Sequence, residues 1–310
     1  MNIPNIPNGK LAVPKWFIDL KGELHDLTDE QQKTESLARL EEAYKNYSGE
    51  DRVISSLDLA EQIKSKPPVQ KILTGIKRLD DILGGFVSKQ LIVVAAPTKS
   101  GKTSFCIELT IRLKEYNPLW LPFEEPAEEL ILKFLERKEN PPLFYTPVKL
   151  PTSTLEWVEK KIIESKVKYN SKIVFIDHLH FIVPFSAERN DLMIGQTMRE
   201  LKRLAKQWDV VIFIISHLKK TKMIMQPDLE DLRDSSFTAQ EADTVIMLWR
   251  KNSKENGQVV ITNEVNVSIQ ANRRTGKTGN ISMVYTDGRF VEKSLVDDNE
   301  LNDYAEQGWS

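Results

Sequence analysis

Five strand-forming residues, LIVVA at 91–95, run directly into Ala96-Pro97-Thr98-Lys99-Ser100-Gly101-Lys102-Thr103. An amphipathic stretch at 104–116 follows, with Phe105, Leu109 and Leu113 on one face. A strand that is apolar at every position is buried on both faces, the habit of parallel sheets covered by helices. The loop fits the phosphate-binding pattern G-x-x-x-x-G-K-[ST], with Ala96 in place of the first glycine. Its backbone N–H groups and the helix start would face an anion's oxygens. Lys102 would neutralise β- and γ-phosphates, and the Thr103 hydroxyl would ligate Mg²⁺. This unit commits the chain to an α/β fold that handles a nucleotide.

The same texture continues downstream. Strand-like runs at 119–123, 173–176 and 210–215 alternate with helical patterns at 127–137, 154–168 and 193–208. After residue 240, runs at 245–249, 259–262, 265–270 and 281–285 follow without helices between them, which predicts an antiparallel edge. Upstream, residues 1–20 read as extended, 37–47 and 56–64 as short helices, and Pro67-Pro68 as a linker. The expected organisation is a helical arm and linker at 1–68, a core domain at 69–295 and a tail at 296–310. The arm reads either as a poorly packed tail or as a segment that docks on another subunit.

A second stretch, Ala271-Asn272-Arg273-Arg274-Thr275-Gly276-Lys277-Thr278, fits the same pattern. Strand-like VNVSIQ precedes it and strand-like GNISMVY follows it. No helix dipole would serve a phosphate there, so it is rejected as a phosphate loop.

Composition narrows the classes. Hydrophobic residues at 40% and charged residues at 28% exclude wholesale disorder. A net charge of -2 excludes a globally basic nucleic-acid binder, while leaving room for a local basic groove. The single cysteine, Cys106, excludes an intrachain disulfide and a cysteine-built zinc site, and its place on the inner helix face assigns it to the core. The four histidines show no metal-cluster spacing. No apolar run approaches the ~18 residues of a membrane span. The prolines of the first 16 residues interrupt any signal-peptide core. The expectation is a soluble intracellular protein with no membrane partner.

Three strand ends carry polar groups. The run IVFI ends in Asp177, which could hold Mg²⁺ through water. The run 119–123 ends in Glu124-Glu125, of which only one can point inward to polarise an attacking water. The run 210–215 ends in Ser216-His217, beside the expected γ-phosphate.

Taken together, TGIKRLDDILGG, APTKSGKT, the FEEP run, IDHLHFIV, ISHLKK, DLRDSSFTAQEADTVI and NRRTGKTG resemble the RecA-like core of hexameric replicative helicases. These are the DnaB family and, more closely, the helicase half of phage primase-helicases and of mitochondrial Twinkle. The resemblance covers about residues 70–290. No primase, zinc-ribbon or DnaB-type N-terminal domain is evident in residues 1–65.

The resemblance implies a RecA-like P-loop NTPase core using ATP or another NTP with Mg²⁺. It implies Glu124 as catalytic glutamate, Asp177 as the Walker B aspartate, and His217 as the phosphate-sensing histidine where DnaB has glutamine. Gln240 matches a glutamine near the γ-phosphate, although Ala239 stands where phage-type members can carry arginine. Arg250 and Tyr285 match positions that sandwich the nucleobase. Arg273 matches the arginine finger that reaches a neighbouring subunit's site, or Arg274 does in the DnaB register. Single-stranded DNA would pass through a central channel lined by loops at 191–206 and 218–235, with Lys219, Lys220, Lys222 and Arg233 neutralising its phosphates. The implied assembly is a homo-oligomer, a hexameric ring, working with a separate primase, polymerase or loader in the cytoplasm of a bacterial or phage-infected cell. The implied activity is NTP-driven 5′-to-3′ translocation that unwinds duplex DNA in replication. A RecA-fold recombinase, an ATP-gated clamp or loader, and a small-molecule kinase are the competing readings.

Overall fold

The structure is a computed structural model describing residues 30–49, 51–137, 141–184, 190–218, 227–232, 235–255 and 258–295. The segments expected at 1–20 and 296–310 lie outside the described residues. The chain divides into two compact units, residues 1–68 and 69–310.

The first unit contains α1 (Glu30–Lys45) and α2 (Ser56–Ser65). Ser55 caps α2, its Oγ accepting from the Asp58 N–H at 3.0 Å. None of the residues of α2 is buried, and Leu57, Leu59 and Ile63 are exposed.

The second unit is built on one eight-stranded sheet. Its strands are β1 (Leu91–Ala96), β2 (Leu119–Pro122), β3 (Ile173–Asp177), β4 (Val211–His217), β5 (Thr244–Glu255), β6 (Gln258–Asn272), β7 (Gly279–Thr286) and β8 (Arg289–Glu292). They lie in the order β2-β3-β4-β1-β5-β6-β7-β8. Strands β2 to β5 of that row are parallel, and β5 to β8 are antiparallel. The expected parallel sheet with an antiparallel edge is therefore what forms.

Two runs expected as separate strands, 259–262 and 265–270, are one continuous β6. Its pairing with β5 shifts register twice, between Val245 and Ile246, which face Ala271 and Ile269, and between Arg250 and Asn252, which face Val265 and Ile261. The extra residues fall in β6 at both places, the second just where the two expected runs would have parted.

Alternation along the parallel strands makes two cores. Ile92, Val94, Phe175 and Phe213 face α4 (Lys102–Arg112), meeting Phe105 and Leu109. Trp120, Phe175 and Phe213 stack in a row across this face, with centroids 4.8 Å apart at each step. Leu91, Val93, Val174, Ile176, Ile212 and Ile214 face the other way, against α6 (Leu155–Tyr169) and α8 (Asn190–Gln207). The 191–206 stretch, expected as a channel loop, is thus corrected: it is the body of α8. Ile194, Met198, Leu201 and Ala205 recur at helical spacing and are all buried.

The second GKT stretch is a β6–β7 turn, as its flanks required. It has a job that its pattern hid. Helix α3 (Lys77–Leu83) ends with free carbonyls, as every helix does. Arg274 Nη2 donates to the carbonyls of Leu83 (2.5 Å) and Gly85 (2.6 Å), while Thr275 Oγ1 and Asn272 Nδ2 donate to that of Ile82. The turn is a C-terminal cap supplied from 190 residues away.

Glu108 of α4 is fully buried. It accepts from Arg112 Nε at 2.6 Å and Arg289 Nε at 2.8 Å, and Arg137 Nη1 stands 3.8 Å away. One carboxylate thereby ties α4 to β8 and to the chain after α5 (Ala127–Leu135). Glu108→Ala leaves the buried Arg137 without an anion, and the expected loss is about 3–5 kcal/mol of core stability. The urea unfolding midpoint of the nucleotide-free protein measures it, and an unchanged midpoint would remove Glu108 from this role.

Candidate functional site

Parallel strands leave their polar ends on one edge, and the candidate site lies there. The loop after β1 turns with Lys99 and Gly101 at positive φ, 61° and 86°. This brings Lys102 and Thr103 to the start of α4. Glu124 follows β2, Asp177 ends β3, and Ser216 and His217 end β4. The backbone N–H of Glu124 donates to the Asp177 carbonyl at 3.0 Å, so the ends of β2 and β3 are locked together.

The side chains converge. Thr103 Oγ1 donates to Asp177 Oδ2 at 2.9 Å. Lys102 Nζ donates to the Ala96 carbonyl (3.2 Å) and the Pro97 carbonyl (3.3 Å) and lies 3.2 Å from His217 Nδ1. His178 Nδ1 is 3.0 Å from Glu124 Oε2, and His217 Nε2 is 3.9 Å from the same oxygen. Glu125 turns the other way and pairs with Lys133 of α5. Of the two adjacent carboxylates, Glu124 therefore faces the loop residues.

The electrostatics follow from crowding and burial. Burial raises the Asp177 carboxyl to about 7, against the Thr103 hydrogen bond and with help from Glu124 and Glu125. Burial also raises Glu124, but His178, His217 and Lys102 outweigh it and hold that carboxyl below its ordinary value. Burial, then Lys102 and His178, push His217 down to about 4, so its imidazole is neutral at physiological pH. Burial lowers His178 too, and Glu124 opposes the shift. Lys102 is likewise lowered by burial, with Asp177 and Glu124 opposing.

The residues fit a nucleotide and a hard cation. Asp177 Oδ1 is buried and has no hydrogen-bond partner among the described residues. A hydrated divalent ion relieves such an oxygen. The Lys102 ammonium is held by main-chain carbonyls and an imidazole, weaker partners than phosphate oxygens.

The other expected residues stand elsewhere. The Arg273 N–H donates to the Asp243 carbonyl, and the Asp243 N–H donates to the Leu91 carbonyl. Arg273 thus sits at the amino end of β1, while the loop leaves its carboxyl end after Ala96. Five strand residues separate them, ~17 Å. Gln240, exposed near the end of α9 (Ser235–Glu241), lies three residues before Asp243 at that same far end. Neither is brought to its own chain's loop. The Arg273 side chain is exposed and makes no hydrogen bond among the described residues, whereas Arg274 is engaged in the α3 cap.

Arg250 continues the β5 face of Ile246 and Leu248, and its Nε donates to the Thr262 carbonyl at 3.1 Å. Tyr285 of β7 packs on the same face against Phe290, two strands away. Lys219, Lys220, Lys222 and Arg233 lie outside the described residues. Cys106 is buried in the core, as expected.

The profile of the DnaB-like helicase C-terminal domain matches residues 71–143 and 145–291. The chain belongs to this family. The "Probable replicative DNA helicase" of Trieres chinensis is 26% identical over 281 residues, covering 75% of this chain and 61% of that protein. The "Replicative DNA helicase DnaB" of Rickettsia prowazekii (strain Madrid E) is 25% identical, covering 97% of this chain and 72% of its own. Most of the curated relatives are matched over about three-fifths of their length. Among solved structures, a DnaB-like replicative helicase described with its interactions with primase superposes with a TM-score of 0.64 at 21% identity, covering 88% of this chain and 75% of that one. The fold of the DnaB-like core is RecA-like, as its sheet order and edge indicated. Among the described residues, no helix is long and apolar enough to cross a membrane.

One expectation is corrected within this DnaB-like core. The four histidines looked unclustered, yet the fold gathers Glu124, His178 and His217 so that one ligand atom from each lies within 4.8 Å of the others. His178 carried no signal of its own. Only the pairing of β2 with β3 reveals that the residue after Asp177 meets the second residue beyond β2.

The Asp177 value generates a test. A carboxyl raised to about 7 opposes folding progressively from about pH 4, where the unfolded chain ionises, up to about pH 7. His217, depressed to about 4, adds stability that is present above its unfolded value near 6.5 and lost as the pH falls toward 4. The two slopes oppose each other, so overall stability reports neither cleanly. Binding of Mg²⁺-nucleotide does. It should release a proton below about pH 7 and tighten as the pH rises to that point. Calorimetry in buffers of different ionisation enthalpy reads the proton, which Asp177→Asn should abolish.

Proposed function

We propose that this chain is the motor portion of an NTP-driven, ring-forming, single-stranded DNA translocase that unwinds duplex DNA in replication. The observation that carries the reading is the meeting of Lys102, Thr103, Glu124, Asp177 and His217 at the carboxyl ends of adjacent strands. Such a set can hold a nucleoside triphosphate and activate water against it. Membership in the DnaB-like family supports reading that hydrolysis as a replicative helicase's, and the 5′-to-3′ polarity comes from the resemblance alone.

In this reading Lys102 leaves the Ala96 and Pro97 carbonyls and His217 for the phosphates. Thr103 and Asp177 would hold Mg²⁺, which would neutralise phosphate charge. Glu124 orients the attacking water and takes its proton. His217, released from Lys102, senses the terminal phosphate. Arg250 and Tyr285, on one face of the sheet, hold the base between them. Arg273 lies too far from its own loop, so it serves the site of a neighbouring copy, and Gln240 at the same end acts toward that neighbour as well. A hexameric ring satisfies this requirement at every interface. Lys219, Lys220, Lys222 and Arg233 track the DNA backbone by charge, with weak sequence preference. The exposed apolar side chains of α2 give residues 30–65 a surface to dock on an adjacent core. Primase, polymerase or a loader would act alongside.

The direct test is the ATPase rate with and without single-stranded DNA, together with the native mass. DNA stimulation in a ring-sized oligomer is expected. An unstimulated monomer would overturn the proposal.

Two variant series sharpen it. Glu124→Gln should bind ATP and single-stranded DNA but turn over about 10²–10⁴-fold more slowly. Near wild-type turnover would shift the role to Glu125.

The second series concerns Arg273. Arg273→Ala and Lys102→Ala should each be inactive alone, since an arginine in trans contributes roughly 10³–10⁵ in rate. Mixed oligomers contain interfaces where an intact loop meets an intact Arg273, so hydrolysis should partly return. Arg274→Ala should instead lower the melting temperature by freeing the α3 carbonyls. Mixed oligomers with no recovered hydrolysis would exclude Arg273.

A further inference from the structure

The DnaB-like site holds one grouping that goes beyond what nucleotide hydrolysis requires, because His178 joins Glu124 and His217. Three adjacent parallel strands, β2, β3 and β4, each deliver one donor at their carboxyl ends, two borderline imidazoles and one carboxylate. These are Glu124 Oε2, His178 Nδ1 and His217 Nε2, with the carboxylate oxygen 3.0 Å and 3.9 Å from the two nitrogens. The imidazole rings meet edge to face, 4.5 Å between centroids. We propose that Glu124, His178 and His217 form a site for a divalent transition-metal ion of the Zn²⁺ class, separate from the Mg²⁺ position at Thr103 and Asp177, and that an ion bound there holds Glu124 away from catalysis.

The spacing suits the ion. Ligands ~2.0–2.1 Å from a tetrahedral centre stand roughly 3.3 Å from one another. Two of the separations straddle that value and all three lie within 4.8 Å, so side-chain rotations can close the set. The backbone bond from Glu124 N–H to the Asp177 carbonyl keeps the chain segments that carry the first two ligands side by side. Access is open on one side. The Glu124 side chain is 44% exposed, and His178 and His217 are 13% and 19% exposed. Two imidazoles and one carboxylate, with a fourth position free for water, match the open sites that borderline metals occupy.

Selectivity against Mg²⁺ follows from the donors. Mg²⁺ takes oxygen ligands in a near-octahedral shell and binds imidazole poorly. Thr103 and Asp177 offer oxygens only, so the two positions sort hard from borderline ions. Seating the ion displaces two hydrogen bonds. His178 Nδ1 donates to the Glu124 carboxylate at 3.0 Å, so its proton must move to Nε2 before that nitrogen can ligate. With Lys102 donating to His217 Nδ1, the ring proton sits on Nε2. An ion on Nε2 moves that proton to Nδ1, and Lys102 must let go. The ion and the Lys102–His217 hydrogen bond therefore exclude each other.

The consequence for turnover rests on the ATPase reading, but the binding does not. Co²⁺ is the probe for the site, titrated into the nucleotide-free full chain in excess Mg²⁺ and followed by visible absorption. One Co²⁺ per chain is expected, displaced by Zn²⁺ and not by Mg²⁺. His178→Asn and His217→Gln should each weaken it at least tenfold, with circular dichroism confirming that both variants fold. Asp177→Asn should retain it. Displacement by Mg²⁺, or unchanged affinity in both histidine variants, would overturn the site. In parallel, stoichiometric Zn²⁺ should inhibit the wild-type ATPase, and a chelator should restore it. Site-bound Zn²⁺ with undiminished turnover would overturn the inhibitory role. A chain with no ATPase activity at all would defeat the proposed function while the Co²⁺ titration still decides the site.

Discussion

A strand covered on both faces can carry a polar side chain only where it ends. In this chain β1, β3 and β4 are covered in that way, and nothing but apolar residues occupies their interiors. Asp177, Ser216 and His217 stand at their last turns because nowhere else along those strands would tolerate them. Since the strands are parallel, the last turns share one edge. The phosphate-binding loop leaves β1 at that edge as well. The site is therefore less an assembly of chosen positions than the one rim the core leaves available.

That rule explains what could be read from residues alone. The run LIVVA, the loop after it and the helix beyond needed no partner to be recognised, since each signal is local. Asp177 and His217 were legible for the same reason, as polar groups closing apolar runs. Features that depend on pairing were not. His178 follows Asp177 in a stretch that reads as a turn, and only the β2–β3 register brings it to Glu124. Glu108 looks like one more charge on an amphipathic helix, yet α4 is enclosed by both the sheet and the β7–β8 hairpin, so that carboxylate is buried. The helical periodicity at 193–208 forms α8 as its spacing requires, whereas the channel loop implied by the resemblance at 191–206 does not form. Local periodicity is the better guide there, because burial against the sheet needs the apolar stripe.

The two GKT stretches show how far context outweighs pattern. Both fit one pattern, sharing the leading alanine and the closing Gly-Lys-Thr. One is followed by a helix whose first N–H groups are free, the arrangement that suits an anion. The other is followed by a strand, so its polar groups turn instead to another helix's carbonyls. The backbone groups that need partners differ in sign at the two places, and the side chains answer whichever need is present.

The neighbouring arginines in that second turn divide two tasks. Arg274 is pinned to the end of α3, and the backbone beneath Arg273 is pinned to Asp243. Arg273 is thus an outstretched arm on a fixed shoulder, and its reach is one side chain and no more. Any neighbour that uses it must come within that length. If a second copy uses it as proposed, chemistry there would gauge the gap between the two chains, reading closed or open according to a distance that one arginine can or cannot span.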